Sequence, residues 1–271
     1  MSPLSTFTED YLDYSLGAFR RSILCRGHGN YTKSYESFKR IDSTERFFLQ
    51  AIRGRHNVTV LDVGCGDGYH LFVFNTDEGV RKTVSFRGVD ISGLHIEVAR
   101  RVARSLGFEN MQFEERPAED LGYPNESFDV VLCSDVVEHL ENPGKCLAEI
   151  FRVLRPGGTA IITTPNPSSI VVRMADWMRK SGFRARAQGL EDDQRHGGHI
   201  SLLGLKEWTR MAEETGFEVH AVRRGALLFG GYAYNRRPAL FALLLLADRL
   251  LDALPVFRNW GEAFTMKIVK P

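Results

Sequence analysis

The chain has 271 residues, with 35 Lys and Arg against 34 Asp and Glu, a formal charge of +1, 43% hydrophobic residues and four cysteines. This composition is typical of a globular protein and excludes disordered, collagen-like and disulfide-rich chains. A net charge near zero provides no overall field for a polyanion, so nucleic acid is not an expected partner. The cysteines form no CxxC pair, which argues against a zinc knuckle and fits a reducing cytoplasm.

The first predicted element is an N-terminal leader or cap over residues 1–42. Its aromatic segment 31–38 is a candidate cover for a ligand cleft. An amphipathic helix is predicted over Ser43–Arg55, because its apolar residues recur with helical spacing. Residues 43–271 are expected to form one domain.

Short β-rich runs then alternate with helical patterns, which is typical of a parallel sheet covered by helices on both faces. The predicted strands are Val58–Val63, Val84–Asp90, Met111–Glu115, Phe128–Ser134 and Thr159–Thr164. Helices are predicted at Leu94–Leu106, with Ser92 as N-cap and Gly107 as its end, and at Pro143–Leu154. Residues Arg155–Gly158 are predicted to turn the chain into the strand that follows.

Beyond this region, a helix is predicted at Leu205–Thr215 and strands at Phe217–Val222 and Phe264–Val269. Two long segments interrupt the pattern. The loop 168–199 is first basic and then acidic, which fits either a solvated face or a lid that contacts an anionic acceptor. Residues 225–261 are predicted to be an insertion that contains a helix.

That helix, over residues 238–254, is strongly apolar. The sequence leaves three positions open for this helix: burial on its own domain, a homodimer interface, or contact with a lipid surface. Its apolar run Ala239–Ala247 has nine residues, about half of the roughly 20 that span a bilayer. A cytoplasmic location is therefore expected, with peripheral membrane contact as one alternative.

The residues that indicate chemistry begin with the segment Val60–His70, where an apolar strand leads into Gly64, Gly66 and Gly68. Closely spaced glycines permit a sharp turn and bring backbone N–H groups against a ligand. A tight strand-to-helix turn alone would also explain two of them. The spacing GxGxG differs from the GxGxxG of nicotinamide and flavin proteins, which disfavours an oxidoreductase.

A second feature follows at the end of the next predicted strand. The carboxylate of Asp90 can accept both hydroxyls of a ribose, as an acidic residue at this position does in nucleotide-binding sheets. An acid at a helix N-terminus is the simpler explanation for Asp90 alone. Together with the glycine segment, it predicts that two adjacent strand ends grip one nucleoside.

Four segments occur in order along the chain: Val60–His70, Gly88–Ser92, Ser127–Leu132 and Leu154–Gly158. In this order and spacing they resemble the motifs of class I S-adenosylmethionine-dependent methyltransferases, over roughly residues 40–223. Asp135–Leu140 and Thr164–Asn166 make the resemblance strongest to small-molecule O- or N-methyltransferases of the ubiquinone-pathway type. The resemblance implies an α/β fold with a Rossmann-like, doubly wound sheet of seven strands, mostly parallel, with the last strand antiparallel.

The resemblance also implies where S-adenosylmethionine would bind. Asp90 would bind its ribose and Ile91 would pack on its adenine. Its methionine portion would be held after the first strand by Asp62, Gly64, Cys65 and Gly66.

Two further pairs of residues are implied in the same way. Ala118 and Glu119 would meet the adenine edge, although Pro117 stands where an Asp is common and so removes one polar contact. Ser134 and Asp135, at the end of the fourth predicted strand, would lie beside the sulfonium.

His139 and His199 are the candidate catalytic residues. The ordinary pKa of histidine suits removal of a proton from an acceptor hydroxyl or ammonium, although His139 could instead cap or pack a helix. Asp135, Glu138 and His139 would share one side of a helical turn and could form a divalent-cation site with His199, as in metal-assisted relatives. A site without metal is the preferred interpretation.

The sequence therefore predicts an enzyme that transfers a methyl group from S-adenosylmethionine to a hydroxyl or amine of a small or lipid-linked metabolite. Two alternatives stay open. One is a metal-assisted RNA ribose 2′-O-methyltransferase. The other is a cofactor-binding, non-catalytic protein that serves a partner through the apolar helix.

Overall fold

A seven-stranded sheet forms the centre of the protein. The computed structural model describes residues 35–169, 173, 200–227, 238–252, 254 and 260–271. Its strands are β1 (Val58–Val63), β2 (Val84–Asp90), β3 (Met111–Glu115), β4 (Phe128–Ser134), β5 (Leu154–Pro165), β6 (Glu218–Arg224) and β7 (Ala263–Val269). They lie in the order β3-β2-β1-β4-β5-β7-β6, in which β7 is antiparallel to both its neighbours and the other pairs are parallel. The predicted fold and its antiparallel last strand are confirmed.

Helices cover both faces of this sheet. They are α1 (Tyr35–Ile52), α2 (Tyr69–Phe74), α3 (Glu78–Thr83), α4 (Gly93–Ser105), α5 (Pro143–Val153), α6 (Leu205–Thr215) and α7 (Pro238–Asp252), with a 3₁₀ turn at Val137–His139. The predicted cap of α4 is confirmed, since Ser92 Oγ accepts the backbone N–H of His95 at 3.4 Å. The helices α2 and α3 have six residues each, too few to show a helical period in the sequence.

Two elements begin several residues before their predicted starts. α1 begins at Tyr35, eight residues before Ser43, and so crosses the predicted division between residues 42 and 43. β5 begins at Leu154 because that residue pairs with Phe128 of β4. The predicted turn at Arg155–Gly158 is therefore an irregular part of a longer strand, with Gly157 in the left-handed region at φ 73°.

The hydrophobic core has one part on each face of the sheet. On the first face, α1, α2 and α4 bury aromatic and aliphatic side chains, and the rings of Phe48 and Phe74 stack with centroids 4.4 Å apart. On the second face, α5 and α6 bury Leu147, Ile150 and Trp208 among others. Apolar burial on this scale is the main stabilising contribution to folding.

The parallel strands direct their carboxyl ends to one edge of the sheet. β1 ends at Val63, β2 at Asp90 and β4 at Ser134. In an open α/β sheet, ligands bind at this edge, where the strand order reverses. Because β1 lies between β2 and β4, the loops that follow these three strands meet there.

Candidate active site

The glycine segment after β1 has the conformation that its sequence requires. Gly64 and Gly66 have φ angles of 68° and 54°, in the left-handed region that glycine adopts without steric cost. A Cβ on Gly64 would overlap a methyl group of Val136, whereas a Cβ on Gly66 would meet no atom within 4 Å. The loop is therefore packed tightly on one side and open to a ligand on the other.

Asp90 joins this loop to the end of β2. Its Oδ2 accepts the backbone N–H of Gly66 at 2.8 Å, and its Oδ1 accepts that of Ser92 at 2.9 Å. Burial raises the pKa of the Asp90 carboxyl, but hydrogen bonds from His95, Ser92 and Gly66 outweigh it and hold that pKa below its ordinary value. The group is thus an ionised carboxylate whose oxygens retain acceptor capacity for ribose hydroxyls.

Asp62 is the most unusual ionisable group near the site. It is almost fully buried at the end of β1, and its Oδ2 has no hydrogen-bond partner among the described residues. Burial, together with the negative charge of Asp90, raises the pKa of Asp62 to about 8. Native proteins seldom leave a buried carboxyl oxygen unsatisfied, so this atom fits a position near the ammonium of a bound ligand.

A cavity of about 810 Å³, called here the larger cavity, opens beside Asp90. Ile91 is 76% exposed next to that carboxylate and offers an apolar surface for a base. The volume lies within the range of small-molecule sites. Predicted residues that line it are Gly64, Gly66, Asp90, Ile91, Ala118, Glu119, Asp135 and His139.

A smaller cavity of about 220 Å³ adjoins the larger one and shares Gly64, Gly66 and Asp135 with it. Predicted residues Cys65 and Ser134 line it, and the Oγ of Ser134 has no hydrogen-bond partner among the described residues. The opposite wall comes from α1 and includes residues that the sequence analysis did not select: Arg40, Ile41 and Thr44.

Arg40 is the functional candidate that the sequence analysis missed. Its Nε lies 3.6 Å from Oδ2 of Asp135 and its Nη1 lies 3.6 Å from Oε2 of Glu262. It falls within the predicted leader, and no local pattern distinguishes it from the other arginines. Its position becomes visible only when α1 packs against the sheet edge.

Asp135 follows β4 in a strained conformation. Its φ of 55° is in the left-handed region, and its backbone N–H donates to the carbonyl of Thr163 at 2.8 Å. Such conformations in residues other than glycine cost free energy and concentrate at functional sites. The conformation is held by a neighbouring strand and turns the chain into the 3₁₀ helix.

Asp135, Glu138 and His139 do not form the helical turn that the sequence predicts. The cation site predicted for them with His199 stays a prediction. A left-handed residue and a 3₁₀ turn replace the helical turn, so Asp135 lies near Arg40, whereas buried Glu138 accepts the hydroxyl of Thr164 at 3.3 Å. Burial and the charge of Asp135 raise the pKa of Glu138 to about 8. Within the described part of the chain, no three His, Cys, Asp or Glu side chains are grouped to hold a metal ion. His199 lies outside the described residues.

The structure thus brings most of the predicted site residues to one edge of the sheet, while their individual roles stay predictions. The groups at this edge suit an adenosyl amino acid. They are open glycine backbone, an exposed isoleucine, an ionised carboxylate and two unsatisfied polar oxygens. Residues 170–172 and 174–199, most of the predicted lid loop, are outside the described residues.

Comparisons with known proteins agree with this geometry. A family model described as a methyltransferase domain matches residues 55–216. The ubiquinone biosynthesis O-methyltransferase of Thiobacillus denitrificans is 32% identical over 186 residues, which are 68% of this chain and 72% of that protein.

Two solved structures show the same fold. YcgJ from Bacillus subtilis matches with a TM-score of 0.54 and 20% identity, over 84% of this chain and 96% of that one. Geranyl diphosphate C-methyltransferase from Streptomyces coelicolor matches with a TM-score of 0.56 and 13% identity, over 85% and 79%. At these identities the likeness extends to the fold alone.

Proposed function

This chain belongs to the class I S-adenosylmethionine-dependent methyltransferases, and we propose that its acceptor is a hydroxyl group on a small or lipid-linked metabolite. The Thiobacillus relative is named as an O-methyltransferase of ubiquinone biosynthesis, which supports a hydroxyl over the amine that the sequence analysis left open. A ring hydroxyl on a lipid-linked precursor is the acceptor we would test first.

Residues of both cavities would hold S-adenosylmethionine, which supplies a methyl group made electrophilic by its sulfonium. Asp90 and Ile91 would bind the ribose and the adenine, with Glu119 at the rim. Arg40 would bind the carboxylate of the methionine portion. Asp62, behind the glycine segment, would stabilise its ammonium.

The observation that carries the proposal is the wall shared by the two cavities. Asp135 lines both, and His139 lines the larger one together with Asp90. An imidazole therefore lies in the same cavity as Asp90, the residue proposed to bind the nucleoside. His139 would take the proton from the acceptor hydroxyl, and the enclosing walls would align the acceptor and exclude water.

The test is methyl transfer from labelled S-adenosylmethionine to hydroxylated ring compounds, compared with matched amines. His139→Ala should lower turnover by roughly 100-fold, with the Kd for S-adenosylhomocysteine unchanged. His220→Ala is the control, since His220 lies on β6 beside Glu218 and lines neither cavity. Full activity of the His139 variant would mean that alignment of the acceptor with the cofactor accounts for catalysis, without proton removal by His139.

The proposal requires no divalent cation. Transfer that continues after chelation with EDTA would support it. Transfer that is lost and then restored by Mg²⁺ would instead indicate the predicted cation site, with His199 as a ligand. Labelling of RNA in place of ring hydroxyls would support the ribose methyltransferase alternative, and cofactor binding without transfer would support the non-catalytic one.

A further inference from the structure

Four leucines at α7 are unusually exposed. Leu243, Leu246 and Leu250 of the helix expose 61%, 55% and 64% of their surface, and Leu254, just beyond its end, exposes 49%. Their spacing of three, four and four residues places them on one side of a helix. Each side chain that is both described and exposed in α7 is apolar.

The opposite side of α7 holds a buried ion pair. Asp248 is fully buried, and its Oδ2 lies 3.1 Å from Nζ of Lys39 on α1. Its Oδ1 accepts the backbone N–H of Leu227 at 3.1 Å. This polarity is the reverse of an ordinary surface helix, in which apolar residues face the protein and charged residues face water. An exposed apolar patch of this kind marks a binding surface.

A second copy of the chain is a poor occupant of this patch. The four leucines expose on the order of 400 Å² in total, about half of what each partner buries in a standard stable interface. A dimer built on α7 would need apolar surface from elsewhere. The exposed hydrophobic side chains outside α7 and Leu254 include Leu49, Ile91 and Val222, on other elements.

A lipid surface fits the same patch on grounds of shape and charge. An interfacial helix needs one apolar side that enters the headgroup region and neighbouring cations that attract anionic lipids. Arg236 and Arg237 immediately precede α7 in the sequence and Arg249 lies within it. One of the two acids of α7, Asp248, is turned inward against Lys39. No helix in the described part of the chain is long and apolar enough to cross a membrane.

The position of α7 connects this surface to the site. Lys39, which pairs with Asp248, directly precedes Arg40, which lines the smaller cavity. We propose that α7 lies flat on an anionic lipid bilayer through Leu243, Leu246, Leu250 and Leu254. Docking of this kind does not depend on the proposed acceptor, but it would hold the cavities close to any acceptor dissolved in the membrane.

The test is co-sedimentation of the full chain with vesicles of phosphatidylglycerol and phosphatidylcholine. The wild-type protein should bind them, and should bind vesicles of phosphatidylcholine alone more weakly. The double variant Leu246→Ser, Leu250→Ser should partition about tenfold less or weaker still, because two side chains no longer enter the apolar layer. Leu49→Ser, an exposed leucine of α1, is the matched control and should bind as wild type does.

A fluorescent reporter keeps the inference testable even if the double variant folds poorly. Leu250→Trp should shift its emission to shorter wavelength when the anionic vesicles are added, and Leu49→Trp should not.

Absence of vesicle binding by the wild-type protein would overturn the proposal. So would a dimer in sedimentation velocity that the double variant abolishes, because the patch would then be an interface between copies. Methyl transfer to a water-soluble ring hydroxyl should be equal in wild type and double variant, so failure of docking is separable from failure of the proposed function.

Discussion

The two halves of the sheet edge are held together differently. In the half proposed to bind the nucleoside, called the nucleoside half, which comprises β1, β2 and their following loops, Asp90 binds the N–H groups of Gly66 and Ser92, 24 and 2 residues away in sequence. In the half proposed to face the acceptor, called the acceptor half, which comprises α1, β5 and β7, Thr44 contacts Thr163 across 119 residues, and Lys39 pairs with Asp248 of α7.

This difference bears on which half binds the cofactor and which half selects the acceptor. The nucleoside half is made of backbone groups and one carboxylate fixed by short-range hydrogen bonds, so it suits a ligand that many proteins of this fold share. The acceptor half is made of side chains from distant segments, which can change one at a time without disturbing the sheet. Specificity for the acceptor is therefore expected to reside in the second half.

The largest effect is expected at the ion pair that joins α1, in the acceptor half, to α7. Asp248→Asn leaves Lys39 charged and buried, and should lower the free energy of unfolding by roughly 3–5 kcal/mol. Denaturant unfolding of this variant checks it. The double variant Lys39→Met, Asp248→Asn should recover much of the loss, and a loss below about 1 kcal/mol in the single variant would contradict the buried pair.

In the nucleoside half, Gly64→Ala should cost roughly 2–4 kcal/mol of stability, because its Cβ would overlap Val136 and the left-handed backbone disfavours a side chain. Gly54→Ala separates the two causes. Gly54 has a φ of 73° with no atom within 4 Å of an added Cβ, so it should lose only about 1 kcal/mol. Equal stability of the two variants in denaturant unfolding would refute the tight contact.

Asp90→Ala should weaken binding of S-adenosylhomocysteine by roughly 1–3 kcal/mol, since hydrogen bonds to a charged acceptor are lost. Isothermal calorimetry gives the Kd directly. Asp120→Ala, which removes an exposed carboxylate that lines neither cavity, should leave the Kd unchanged. An unaltered Kd in a folded Asp90 variant would show that Asp90 does not bind the ribose.

The last prediction concerns the pH dependence of stability. Because the pKa of Asp62 is raised from 3.8 to about 8, the folded protein keeps a proton that the unfolded chain loses near pH 4. This carboxyl therefore makes stability fall as pH rises from about 4 to about 8. Asp62→Asn should gain stability relative to wild type by up to about 1.4 kcal/mol for each pH unit over that range, without cofactor. If wild type and Asp62→Asn showed the same pH dependence of unfolding, the raised pKa of Asp62 would be contradicted. Asp120→Asn, on the surface, is the control.

Most of the fold could be predicted from the sequence, for an identifiable reason. The limits of β1 to β4 match the predicted residues because each is a short segment, either continuously apolar or alternating apolar and polar, between turn or capping residues. The start of α1 was wrong because its first turns were assigned to the leader, although Tyr35, Phe38 and Ile41 recur at helical spacing. Contacts such as Lys39 with Asp248 hold these turns. The start of β5 was wrong because Leu154 becomes a strand residue only by pairing with Phe128.

The residues of the candidate site also fall into those that the sequence predicts and those that it does not. Gly64, Gly66 and Asp90 were predictable because their backbone angles and hydrogen bonds arise within one strand-loop-strand unit. Arg40 was not, since nothing near it in the sequence indicates that it lies against Asp135. The helical turn predicted for Asp135, Glu138 and His139 was wrong because the left-handed conformation of Asp135 is set by Thr163 on another strand.

The sequence by itself determined the order of strands and helices, the methyltransferase motifs and the loops proposed to bind the nucleoside, because these depend on residues close together in the chain. Only the tertiary structure decided that α1 forms the wall of the smaller cavity, that Glu138 faces Thr164, and that α7 turns its acid inward and its leucines outward. The physical reason is that burial and ion pairing are properties of segments brought together by packing, and the periodicity of one segment does not specify its neighbour.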